Sequence, residues 1–152
     1  MVFSWQSSGL WFGLLLFLTA CSDPAPAITT QWGTPEAIAT EFFDALYNAN
    51  DLDKAKNFST NNYANLLESY GTTRQVSRIL MNVSFDEVII TLNPSSSNVR
   101  QQYDDEAHIS VVLTGTHQGK KIADMRSVVL VKQSGRWLVN AVKADKFSRA
   151  VR

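Results

Sequence analysis

Apolar residues in the first half of this chain recur at three- and four-residue steps; in the second half they recur at every other residue. Ile38, Phe42, Ala45, Leu46 and Ala49 form one stripe at helical spacing. Thr34 is a natural N-cap for that helix, Pro35 suits its first position, and Glu36 favours the positive end of its dipole. Residues 48–51 end it. A short second helix over 52–58 places Leu52, Ala55 and Phe58 on one side. Thr60 caps a third that runs through Tyr63, Leu66, Leu67 and Tyr70 to a stop at Gly71. Val76, Ile79 and Leu80 predict a further helical turn or two.

The period then changes. Residues 87–92 are rich in β-branched side chains and run into the turn cluster Asn93-Pro94-Ser95. Ala107, Ile109, Val111 and Leu113 alternate with His108, Ser110, Val112 and Thr114, the two-residue period of a strand. A turn at 117–120, a long strand over 122–132, a turn at 133–136 and a strand over 137–143 follow. Connections this short give antiparallel hairpins. The chain reads as α+β, helices first and then a meander of about four strands.

Residues 1–22 hold no Asp, Glu, Lys, Arg or His, and residues 10–18 are apolar. That run is shorter than the roughly 20 residues a spanning helix needs, and it matches the hydrophobic core of a signal peptide, about 7–15 residues. It leads into Leu18-Thr19-Ala20-Cys21, where Cys21 is the single cysteine of the chain. This run resembles the lipobox of bacterial lipoproteins, although the usual Lys or Arg near the N-terminus is missing. The resemblance implies a signal peptide over 1–20, cleavage before Cys21, and acyl chains such as palmitate on its sulfur. A single chain binds a membrane marginally, whereas two or more hold a protein firmly. Two other outcomes stay open: an uncleaved anchor, and cleavage after Ala27 with release of a soluble protein. The family's sorting rule, with Ser22 after the cysteine, points to the periplasmic face of the outer membrane in preference to the inner membrane.

Composition narrows the rest. Without the leader about 130 of the 152 residues remain, one domain's worth, with no cysteine for a disulfide or thiolate zinc site. Residues 21–33 read as the lipidated cysteine and a flexible tether; Pro24 and Pro26 extend it to at most about 35–40 Å. Lys and Arg number 14, as do Asp and Glu, so there is no basic excess to support nucleic-acid binding. Acids dominate as far as Gly71, and bases from His117 onward. Lys143, Lys146, Arg149 and Arg152 recur every third residue, and residues 145–152 form a basic tail.

The segments TPEAIATEFFDALYNANDLDKA and GKKIADMRSVVLVKQSGRWLV give the domain, residues 34–144, a resemblance to the NTF2-like superfamily, and within it to small NTF2-like envelope lipoproteins. The resemblance implies a cone: N-terminal helices packed into a strongly bent antiparallel sheet, with Phe42 and Leu46 filling its concavity and Trp137 in the core. Members include isomerases and dehydratases with polar residues inside the cone, non-catalytic binders, and dimers that pair through their sheets.

Three expectations follow from these observations. The first is a non-catalytic, membrane-anchored domain that binds an envelope protein or a small ligand. The second is a cone-cavity enzyme using His108, or Asp44 with Tyr47, which requires the His108 face to look into the cone. The third is a dimeric scaffold. A surface or structurally bonded His108 is the plainer reading, and His117 is expected to be solvated in its turn. Asp124 and Arg126 share one strand face, and an exposed ion pair is expected there. Asp104, Asp105 and Glu106 lack the spacing of a calcium loop and read as a solvated segment. Nucleotide, zinc and nucleophile-elbow motifs are missing, so no metal and no cofactor is expected.

Overall fold

The structure is a computed structural model that describes residues 33–93 and 105–144. The leader, Cys21, the tether up to residue 32, Asp104 and the tail 145–152 lie outside the described residues.

Helix α1 spans Pro35–Tyr47, with the Thr34 hydroxyl accepting the Ala37 N–H at 3.3 Å. Asp51 caps α2 (Leu52–Asn57), where its carboxylate accepts the Lys54 N–H at 2.8 Å, and Thr60 caps α3 (Asn61–Ser69). Helix α4 (Thr73–Gln75) runs directly into a π-helical turn, Val76–Leu80. That turn is closed by the Met81 N–H donating to the Val76 carbonyl at 2.9 Å. Its wider repeat puts Val76 and Met81 inward and leaves Ile79 exposed, which corrects the expected apolar role of Ile79. Ala49 lies beyond the end of α1 and is exposed, and Leu66 also faces outward.

Four strands follow: β1 (Glu87–Leu92), β2 (Glu106–His117), β3 (Lys120–Gln133) and β4 (Arg136–Ala144), paired antiparallel in sequential order. The hairpins turn at Gln118-Gly119 and Ser134-Gly135, each with positive φ at both central residues. That geometry gives the primed turn whose twist matches the flanking strands. A bulge at Val129/Leu130 in the β3–β4 ladder adds local bending, and Gly115 lets β1 cross β2 closely. A Cβ built on Gly115 would lie 1.9 Å from the Glu87 carbonyl oxygen.

The register separates the two faces of the sheet. Ala107, Ile109, Val111 and Leu113 stand opposite Leu130, Val128, Arg126 and Asp124, all toward the helices. Phe42, Phe43, Ala45 and Leu46 of α1 are buried against them with Tyr63, Leu67, Trp137 and Val139. Phe43 and Ala39 fall outside the stripe read from sequence. They are buried because the sheet and the other helices enclose α1 over a wider arc than a flat sheet would. Burying a side chain such as Phe42 or Leu46 stabilises the fold by about 1.5–3 kcal/mol. Backbone bonds from Thr60 N–H to Val139 O (2.9 Å) and from Val139 N–H to Phe58 O (2.8 Å) tie the α2–α3 connection to β4. No helix among the described residues is long and apolar enough to cross a membrane.

Candidate functional site

Strand alternation decides which polar side chains enter the concavity. On β3, Asp124 and Arg126 share the inward face with Val128 and Leu130. The Arg126 Nε–H donates to Asp124 Oδ2, and the two side chains are only 9% and 17% exposed. The expected surface pair is therefore a buried one, because β3 passes beneath α1 at that point. Its opposite charges offset each other where an isolated charge would be strongly destabilising.

Two tyrosines respond to Arg126. Burial pushes the Tyr47 hydroxyl up to about 12, against the pull of the nearby Arg126 charge. Burial raises Tyr63 further, against a backbone hydrogen bond with Val142 and the same Arg126 charge. Both hydroxyls stay protonated at neutral pH. Tyr47 donates its proton to the Val83 carbonyl at 3.1 Å and packs edge-on against Phe85, centroids 5.5 Å apart. It therefore serves as a fixed neutral donor, and no phenolate base is available from it.

Next to Tyr47 a cavity of about 580 Å³ opens between the end of α1, the α4–π segment, the residues that lead into β1 and the β2 end of the β2–β3 turn. Leu46, Tyr47 and Phe85 supply its apolar wall; Asn50, Ser77, Ser84, Asp86, Arg74, Arg78 and His117 supply its polar groups. A second hollow of about 300 Å³ shares Arg78, Ser84 and His117 with it. Ser77 is buried, held there by the π-helical turn. Asp86 accepts the Gln118 N–H at 2.6 Å and so braces the β2–β3 turn. His117 Nδ1 is buried and has no hydrogen-bond partner among the described residues; the nearest carboxylate oxygen, Asp86 Oδ1, is 4.0 Å away.

The sequence candidates do not converge. His108 stands on the convex face, opposite Val129, with its Nε2 2.8 Å from Glu106 Oε1. Its neighbours Ala107 and Ile109 point into the core, so alternation sends His108 away from α1, and the expected inward-facing base is corrected. Asp44 lies on the outer side of α1, accepting from Asn48 Nδ2 at 3.0 Å and 3.6 Å from Lys54 Nζ. Tyr47 alone of the three reaches the cavity. Conversely, His117, expected to be solvated, lines it. Its odd-numbered place on β2, in phase with Ile109, Val111 and Leu113, was a signal available in the sequence. Arg74, Ser77, Arg78 and Ser84 carried none: Ser77 and Arg78 sit in the π-helical turn, which leaves no periodic trace, and Arg74 and Ser84 lie before and after it. Asp105 and Glu106 do not belong to any metal-type cluster: no group of three His, Cys, Asp or Glu gathers among the described residues. Comparison with known proteins adds nothing to these features, since no family model, no curated protein and no solved structure matches the chain.

Proposed function

We propose that this chain is an NTF2-like domain, held at a bacterial envelope membrane by lipid on Cys21, that binds a small molecule without transforming it. The observation that carries the binding reading is the cavity beside Tyr47, with an apolar wall on one side and convergent polar groups on the other. Its size suits a small organic ligand, and its floor is fixed by packing and by the Tyr47–Val83 bond. The non-catalytic reading rests on the state of the ionisable groups. Asp124 and Arg126 neutralise each other, Tyr47 is a locked donor, and His108 and Asp44 are turned to solvent on other surfaces. The helix-then-sheet order and the bent meander around α1 support the NTF2-like reading; the lipobox resemblance supports the anchor.

Two comparisons test the proposal. Cys21→Ala is expected to move the protein out of the membrane fraction; unchanged sedimentation with membranes contradicts the lipid anchor. Ser84→Trp puts a large side chain into the cavity. Small molecules co-extracted with the wild-type protein, read by mass spectrometry, are expected to be lost from that variant. Equal recovery from both proteins contradicts the cavity as the binding site.

A second reading has an observation of its own. On the convex face Ile89 is 68% exposed, and Val112, Met125, Val131 and Leu138 share that face part-exposed. An apolar sheet face of this kind suits a homodimer or an envelope protein partner. Sedimentation equilibrium of wild type and Ile89→Glu separates the cases: a dimer that dissociates on substitution supports the second reading, and a monomer in both refutes the homodimer.

A further inference from the structure

We infer that the ligand of the cavity beside Tyr47 is a small organic anion, a carboxylate joined to an apolar group, with Arg74 and Arg78 receiving its charge. The inference rests on the binding reading above and specifies the ligand class. Arg74 and Arg78 are four residues apart across the α4–π segment, and both line the cavity. Like charges at this spacing repel one another. Neither arginine has an ion-pair partner among the described residues, whereas Lys54, Lys56 and Arg126 each stand against a carboxylate. Among the described residues these two guanidinium groups thus stand without a counter-charge, and their planar forks match a carboxylate better than any neutral group.

The remaining lining agrees. Its single acid, Asp86, already accepts the Gln118 N–H and braces the turn. Ser77, Ser84 and Asn50 add neutral hydrogen-bonding groups beside the arginines, and His117 presents an imidazole with an unpartnered nitrogen. Leu46, Phe85 and the Tyr47 ring form the opposite wall, where an apolar body would pack. A fully apolar ligand would leave both guanidinium groups without a counter-charge, and a purely inorganic anion would leave that wall wet. A carboxylate carried on a ring or chain satisfies both sides.

The test uses the full chain in uncharged detergent, titrated by calorimetry with 2-naphthoate and with 2-naphthamide, which has nearly the same shape and no charge; heats into empty micelles are subtracted. Wild type is expected to bind 2-naphthoate at least about tenfold more tightly than 2-naphthamide, by the ordinary strength of charge-assisted pairing. Arg74→Gln/Arg78→Gln is expected to abolish that preference while leaving 2-naphthamide binding intact, and Arg78→Lys to keep part of it. Both arginines are exposed, so their loss is not expected to unfold the domain; an unchanged circular dichroism melt verifies this. Equal affinity for the two probes overturns the anion inference and leaves the cavity reading standing. A preference that survives the double substitution overturns the assignment to Arg74 and Arg78. Binding of neither probe overturns both the inference and the small-molecule reading beneath it.

Discussion

Removing Asp124 alone should destabilise the domain more than removing Asp124 and Arg126 together. Asp124→Leu leaves the Arg126 guanidinium inside the concavity, among Val128, Val111 and the rings of Tyr47 and Tyr63, without its counter-charge. Losing one partner of a buried ion pair costs about 3–5 kcal/mol. The two side chains keep 9% and 17% of their exposure, which allows some hydration and places the effect at the lower end, about 3 kcal/mol. For a domain of this size each kcal/mol lowers the melting temperature by about 4 °C, so a fall of about 12 °C is expected. Asp124→Leu/Arg126→Met removes both charges and replaces them with apolar volume; it should return to within about 1 kcal/mol of wild type. Urea unfolding of wild type, Asp124→Leu, Arg126→Met and the double variant closes a double-mutant cycle. A single-substitution effect under about 0.5 kcal/mol would show the pair to be solvated, as exposed pairs are, and would refute the packing of β3 beneath α1.

Three further predictions concern other parts of the fold. Gly115→Ala drives a methyl group against the Glu87 carbonyl, 1.9 Å from the built Cβ, and should lower stability in urea by about 3 kcal/mol, the upper end for overpacking; an unaltered midpoint contradicts the close β1–β2 crossing. Tyr47 is raised from 10.0 to about 12 in the folded protein. Its contribution is therefore complete below pH 10 and is lost as pH rises through about 12, a change of about 2–3 kcal/mol. Tyr47→Phe should flatten the decline in urea midpoint between about pH 9.5 and about pH 11.5, which covers most of that window; an equally steep decline places the titration elsewhere. His108→Ala removes an exposed contact with Glu106 and should shift stability by less than about 1 kcal/mol, so a larger loss in the thermal melt contradicts the convex placement of His108.

The fold was legible where one physical signal dominated. Thr34 and Thr60 are capping residues read directly as helix starts, whereas Asp51, read only as part of the end of α1, proves to cap α2; Gln118-Gly119 and Ser134-Gly135 are turns read directly as hairpins. Strand β2 followed from alternation, β1 from its β-branched residues, and β3 and β4 from the turns that bound them, to within a few residues at each end. The site was less legible because it depends on which face is turned inward. Alternation puts His108 and Ala107 on opposite faces without saying which is the core face. Only the apolar run Ala107, Ile109, Val111 and Leu113 decides it, and the same phase carries His117 to the cavity. Asp124 and Arg126 looked like a surface pair because charged residues on a long strand usually are, and local sequence does not record that α1 covers them. The π-helical turn is the remaining gap: its effect on Ile79, Ser77 and Arg78 comes from backbone hydrogen bonding over five residues, which helical periodicity does not register.

The two histidines of the chain provide a direct test, because they occupy opposite faces of one strand. Imidazole resonances followed by NMR during a 2-naphthoate titration of the full chain should show His117 shifting to saturation while His108 stays in place. Movement of His108 with His117 unchanged, or no movement of either at saturating probe, would contradict the cavity beside Tyr47 as the ligand site.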